Sequence, residues 1–255
     1  IKYRGGSYLA GDKLALRRAV DADTYRPDDL EPLVSLLTNY RRYGSYDISG
    51  LQRRGSDAVT ARRLEPGGQN VLSVLRNWRD RGADKHRAAW VLERLAAIFQ
   101  DFYGDMDFFE TAQIVTAEIK LRAFDRQPVP LRLVADGLLV ALFHLTAVAS
   151  TDPGGVIAID EPENSLHPAA IHLLIDAFRW WAEQYDVTIL LATHSPVVID
   201  AFKQQPGNLF VIEPGHDPLP LPLDQLKKSE WLAHFSLGDL YAHSEYGAPR
   251  AAESP

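Results

Sequence analysis

The chain has 255 residues, 46% hydrophobic and 24% charged, the proportions of an ordinary globular protein. Zero cysteines exclude disulfides and thiolate metal sites, no apolar run approaches the ~18 residues of a membrane span, and no basic-then-apolar start marks a signal peptide. A cytoplasmic protein without a membrane partner is expected, and a first residue Ile1 in place of Met suggests that further residues precede it. The net charge of −7 is unevenly spread, with 18 Lys/Arg against 12 Asp/Glu in residues 1–100 and 9 against 22 in residues 101–255. Arginine pairs such as Arg41-Arg42, Arg53-Arg54 and Arg62-Arg63 suit either DNA or RNA phosphates or solvated helix faces.

Residues 1–55 read as helical and irregular, with Leu14, Leu16, Val20, Leu30, Leu33 and Val34 on an apolar face broken by Pro27 and Pro32. Gly6 to Leu14 nearly spells a phosphate loop, but Asp12 stands before Lys13, and Leu14 lacks the hydroxyl that would reach Mg²⁺. An acid in a phosphate cradle repels its ligand, so this stretch is a decoy. Asn39 to Ile48 is rich in Tyr and Arg and reads as an aromatic-anchored turn in preference to a base-stacking surface.

Pro66-Gly67-Gly68 marks a turn before a helix carrying Val71, Leu72, Leu75 and Trp78. Asp84 can cap a second helix with Ala88, Val91, Leu92, Leu95 and Ile98 inward, giving an antiparallel helix pair. Ile114, Ala117, Ile119 and Leu121 belong to a strand-rich stretch that ends near Phe124, followed by a turn at Arg126-Gln127-Pro128. Ala135-Asp136-Gly137 then opens a nearly unbroken apolar helix, Leu138 to Ala149.

Val156 to Ile159 and Val187 to Leu191 are short β-branched runs and read as fully buried strands. Between them Ala170, Ile171, Leu174, Ile175, Phe178 and Ala182 recur at helical spacing, and Pro168 suits the first helical position. A strand–helix–strand unit so joined is parallel with a right-handed crossover, and its ligands gather where the strands end. Asp160-Glu161 ends the first strand and Thr193-His194-Ser195 ends the second. Two acids at the mouth of a buried strand are costly unless a cation or a reaction needs them. Phosphoryl transfer supplies that need, with Asp160 holding Mg²⁺, Glu161 polarising the attacking water and His194 at the γ-phosphate. A solvated acid pair with a capping His is the alternative reading of the same residues.

IDEPENSLHP followed by ATHSP resembles the Walker B, D-loop and switch-histidine segment of ABC-type ATPases, most closely the AAA-type predicted ATPases related to SMC, RecF and OLD proteins. The resemblance covers roughly residues 60–245 and implies ATP and Mg²⁺ as cofactors, Asp160 as metal ligand, and Glu161 and His194 as catalytic residues. It places Ser165, Leu166 and His167 in the dimer-contacting D-loop. It also aligns Ala135 to Leu138 with the family signature whose Ser and Gly bind the ATP of the other protomer. Ala135 and Leu138 replace the Ser and Thr of that signature, while Gly137 permits close backbone approach and Asp136 fits a helix cap. A capped core helix without a ligand role is the alternative there. The SLGDLY segment, Ser236 to Tyr241, resembles a late family motif and reads by itself as packing.

The expected fold is α/β: a parallel-rich P-loop NTPase (ABC-type) core sheet with flanking helices plus a helical lobe. Residues 1–110 are expected to form that lobe as part of an insertion, residues 111–246 the C-terminal part of the ATPase core, and residues 247–255 a disordered tail. Asn208 to Ile212 reads as one more strand, closed by Glu213-Pro214-Gly215. No GxxxxGK[ST] occurs in the sequence, so the phosphate cradle is expected from upstream residues or a partner. The resemblance implies ATP hydrolysis by a nucleotide-sandwich homodimer or higher oligomer. It further suggests an effector nuclease or other defence subunit, or DNA or RNA, as partner. An inactive scaffold is the alternative, and a transporter ATPase subunit fits less well because the helical segment before the signature is long.

Overall fold

The computed structural model describes residues 39–122, 127–212, 220–227, 232, 234–243 and 246–247. The near-phosphate-loop at Gly6 to Leu14, the apolar face read in residues 14–37, the turn residues Phe124 and Arg126, the Glu213-Pro214-Gly215 turn and nearly all of the tail lie outside them.

Three short parallel strands carry the candidate site: β1 (Arg41–Tyr43), β6 (Val156–Asp160) and β7 (Thr188–Ala192), in the order β1-β6-β7. Ile157 pairs with Arg41 on one side and Ile189 on the other, and Ile159 with Tyr43 and Leu191. Alternate residues of a strand face opposite ways. Ile157 and Ile159 are therefore buried on the helix-covered face, whereas Arg42, Ala158 and Leu190 share the other face. No described helix covers that face, and Leu190 is 50% exposed. The expectation that both apolar runs are fully buried holds for neither whole strand, because among the described residues helices cover only one side of the sheet. Among the described residues no strand pairs with the second edge of β7.

The covering layer is α4 (Asp136–Ala149) and α5 (Pro168–Tyr185). Every α4 residue from Leu138 to Ala149 is buried, as expected of a helix that is apolar all round. Each large side chain so buried stabilises the fold by roughly 1.5–3 kcal/mol. In α5 the stripe Ala170, Ile171, Leu174, Ile175 and Phe178 is buried while His172 and Asp176 face solvent, and Pro168 takes the first helical position. The β6–α5–β7 connection is thus the strand–helix–strand unit that the periodicity predicts.

β1 falls in the stretch read from sequence as a Tyr/Arg-rich turn, and it is followed by α1 (Ile48–Arg54) and β2 (Ser56–Asp57). Next come α2 (Val71–Asp80) and α3 (Lys85–Ile98), a packed pair with Leu72, Leu75, Trp78, Val91 and Leu95 inward. Asp84 precedes α3, but its side chain caps nothing. Both its oxygens accept from Arg62, at 2.8 and 2.7 Å, a pairing that lowers the Asp84 carboxyl below its ordinary range.

β3 (Tyr103–Glu110) and β4 (Ile114–Leu121) form an antiparallel hairpin, and β2 and β5 (Pro128–Pro130) pair with β4. This second sheet packs on α2 and α3. After β7 come α6 (Pro196–Asp200), a small hairpin of β8 (Phe210–Val211) and β9 (Leu221–Pro222), α7 (Leu223–Leu226) and α8 (Leu237–Ala242). Ile199, Val211, Leu223, Leu237 and Leu240 share a separate small core there. The strand expected over Asn208 to Ile212 contracts to two residues because Pro206–Asn208 forms a 3-10 turn.

Candidate functional site

Asp160 is the last residue of β6 and points onto the open face of the parallel sheet. Its Oδ2 accepts a hydrogen bond from Arg42 Nη2 at 2.6 Å, across the neighbouring strand. Gly44 lies directly beside it: a Cβ there would stand 3.1 Å from Asp160 Cβ.

The chain turns sharply after Asp160. Glu161 has φ of 50°, a left-handed backbone that a long L side chain rarely adopts. Three hydrogen bonds hold the turn: Glu161 N to Ala192 O at 2.8 Å, Asn164 N to Glu161 O at 3.2 Å, and Leu166 N to Glu163 O at 3.0 Å. The first of these locks the turn to the end of β7. Strained backbone persists where neighbours over-determine it, commonly at functional sites.

Thr193 adds a second tie between the two strand ends. Its hydroxyl donates to Glu163 Oε1 at 2.7 Å and accepts from Ser195 N at 2.9 Å. The other Glu163 oxygen, Oε2, is buried without a donor. The Glu161 carboxyl is pushed up by partial burial, by a hydrogen bond shared with Glu163, and by the charges of Glu163 and Asp160. His194 opposes the shift. Partial burial and the neighbouring carboxyls thus let Glu161 hold its proton to higher pH than a free Glu, which suits a general base.

His194 follows Thr193, and its Nε2 lies 3.8 Å from Glu161 Oε1, with the ring largely exposed. On the other side of the ring, Nδ1 lies 3.1 Å from the Tyr241 hydroxyl on α8. Asp160, Glu161 and His194 are therefore brought together at the carboxyl ends of adjacent parallel strands, where open α/β sheets bind ligands.

The remaining sequence candidates form a second, adjoining group. Ser165 has φ of 63°. Its carbonyl oxygen would stand 2.4 Å from a Cβ on Gly137, and Leu166 Cδ2 would stand 3.7 Å from it, so α4 begins in direct contact with the turn after Glu161. Asp136 does not cap α4. Ala135 is the N-cap residue, without a side-chain bond, and Asp136 accepts from Gln52 at 3.0 Å instead. His167 is the N-cap of α5, its Nδ1 accepting from Ala169 N at 3.3 Å.

His144, in the middle of α4, also reaches this turn. Its ring donates to Pro162, which offers only a carbonyl, and Nδ1 lies 3.1 Å from the Tyr46 hydroxyl. Burial drops the His144 pKa to about 3, so the ring is neutral wherever the protein is folded near neutral pH.

Sequence reasoning missed Arg42, Glu163, Thr193, His144 and Tyr241. Thr193 sits next to the assigned His194, and Glu163 two positions from the assigned Glu161 and Ser165, a signal that spacing alone left mute. Arg42, His144 and Tyr241 reach the site only through the fold.

Among the described residues no cluster of three or more His, Asp or Glu side chains could by itself hold a metal. That suits Mg²⁺ all the same, because this ion is commonly held by one or two carboxylates together with substrate phosphates. Asp160, half-exposed at a strand end, offers one such oxygen donor set. Among the same residues no helix is long and apolar enough to cross a membrane.

A mixed α/β unit with a parallel sheet and acids at its strand ends is compatible with the P-loop-like core of an AAA-type ATPase. Over residues 33–200, more than half of its length, the chain matches the model of a family described as "AAA domain, putative AbiEii toxin, Type IV TA system". The chain belongs to that AAA domain family, whose members are nucleotide-binding, ATPase-like domains that generally use ATP and Mg²⁺. No curated protein matches it.

Proposed function

We propose that this chain supplies the water-activating part of an ATP-hydrolysing site of ABC type, working as a nucleotide-sandwich dimer. The observation that carries the proposal is the approach of Glu161 and His194, 3.8 Å apart, beside Asp160 on adjacent parallel strands. Glu161 takes the proton of the attacking water, and His194 donates to the terminal phosphate. Asp160 would hold Mg²⁺, which when bound neutralises charge on the phosphates. Asp136, Gly137, Ser165, Leu166 and His167 would face the nucleotide held by a second protomer. The finer kinship with SMC, RecF and OLD proteins, and a role in gating a nuclease, a nucleic-acid-processing system or phage defence, belong to the same proposal by analogy of family.

The sequence holds no GxxxxGK[ST], so this reading requires a phosphate cradle supplied by another segment or another chain. Parallel sheets are ordinarily covered on both faces, and among the described residues helices cover only one face of β6 and β7, with Leu190 on the other 50% exposed. A scaffold without turnover is the second reading, favoured by Ala135 at the signature Ser position.

Glu161→Gln in the protein complete with its phosphate loop separates them. Turnover should fall by about 10²–10⁴-fold while Mg·ATP binding persists. Hydrolysis that is measurable in the parent and unchanged in the variant overturns the role of Glu161; no hydrolysis in the parent favours the scaffold.

A further inference from the structure

We infer that Tyr241 is a positioning residue for His194: its hydroxyl donates to Nδ1, which fixes the ring proton on Nε2, the nitrogen that faces Glu161. The inference rests on the proposed role of His194 at the terminal phosphate and names the residue that makes it a donor there.

The geometry on both sides of the ring points the same way. Nε2 lies 3.8 Å from a carboxylate oxygen, which attracts a proton to that nitrogen, and Nδ1 is left as acceptor for a hydroxyl 3.1 Å away. Which imidazole nitrogen carries the proton is set by the bond that the other makes. A neutral His194 held in this tautomer offers an N–H to a phosphate without first gaining a second proton.

Tyr241 is held in place by contacts that begin two residues after His194 itself. Asp200, at the end of α6, accepts from Ser236 Oγ at 2.8 Å and from Gly238 N at 2.9 Å, joining the start of α8 to α6. Gly238 leaves no room for a side chain, since a Cβ would stand 2.4 Å from Pro196 O. Tyr246 donates to Leu237 O at 2.6 Å and packs its ring 5.9 Å from that of Tyr241. The hydroxyl is thus fixed relative to the backbone of the Thr193-His194-Ser195 segment, and α6 with α8 forms one block that bears on the ring. The SLGDLY segment therefore serves the site as well as the small core.

The test reads the tautomer directly. Histidine ring ¹⁵N–¹H correlation spectra are recorded without nucleotide on the parent chain, on Tyr241→Phe, and on His194→Gln to assign the signal. The parent should show His194 with its proton on Nε2 and a hydrogen-bonded Nδ1. Tyr241→Phe keeps the ring packing, and should return Nδ1 to the shift of an unbonded nitrogen. The His144 signals serve as the control for an intact core. A proton on Nδ1 in the parent, or a His194 spectrum unchanged in Tyr241→Phe, overturns the inference. Because no nucleotide is present, a protein that hydrolyses nothing would still give this answer, so failure of the ATPase reading is seen separately in Glu161→Gln.

Discussion

Arg42 Nη2 donates to Asp160 Oδ2 at 2.6 Å, so the carboxylate proposed to hold a divalent cation already has a cation beside it. Both side chains are open to water, at 66% and 37% exposure, and such a pair contributes little to stability. Its consequence is competition. Arg42→Ala should bind Mn²⁺ about two- to fivefold more tightly than the parent, as read by electron paramagnetic resonance. Asp160→Asn should abolish that binding. If Arg42→Ala leaves the affinity unchanged while Asp160→Asn removes it, the ion pair is incidental to the metal site.

The raised pKa of Glu161 makes a claim about stability. The folded protein keeps a proton on this carboxyl at pH values where the unfolded chain has lost it. The folded state is therefore favoured at low pH, and this contribution is lost as pH rises from the ordinary Glu range through the raised folded value. Glu161→Gln removes the ionisation. In urea unfolding the variant should gain stability over the parent at neutral pH, with the gain vanishing near pH 4, roughly the unfolded value. A difference that is the same at every pH would mean that the ionisation of Glu161 does not govern this turn.

His144 has the opposite sign. The unfolded chain takes up a proton below about pH 6.5, whereas the folded ring resists until about pH 3. Stability from this residue is complete above the unfolded value and is lost as pH falls, at up to about 1.4 kcal/mol per pH unit within that window. His144→Gln cannot titrate, yet it retains a donor for the Pro162 carbonyl. Urea midpoints measured from neutral pH to pH 4.5 should fall less steeply in the variant, and equal slopes would refute the burial argument.

Gly137 and Ser165 make a contact that admits no methyl group. Gly137→Ala would bring Cβ to 2.4 Å from a backbone oxygen, so the start of α4 or the turn after Glu161 must move. A cost of about 1–3 kcal/mol is expected in urea unfolding. Gly82→Ala is the contrast, since a Cβ there meets nothing within 4 Å. It should stay within about 0.5 kcal/mol of the parent. Equal effects at both positions would show that the α4 contact yields at no cost.

By itself the sequence determined the β6–α5–β7 unit, the buried α4 and the acid pair with its histidine. Those features follow from local rules: apolar period, a proline at a helix start, and polar residues where strands end. Which residues complete the site was decided by the tertiary structure alone. Arg42 is 118 residues from Asp160, and Tyr241 is 47 from His194. Strand order and helix docking bring each pair together, and neither is written in any local period. The same holds for burial. A β-branched run such as Val187 to Leu191 reads alike whether one face is covered or two, and only the packing of α4 and α5 leaves Leu190 bare. Periodicity reports what a segment can bury; what it meets depends on chain closure over long separations.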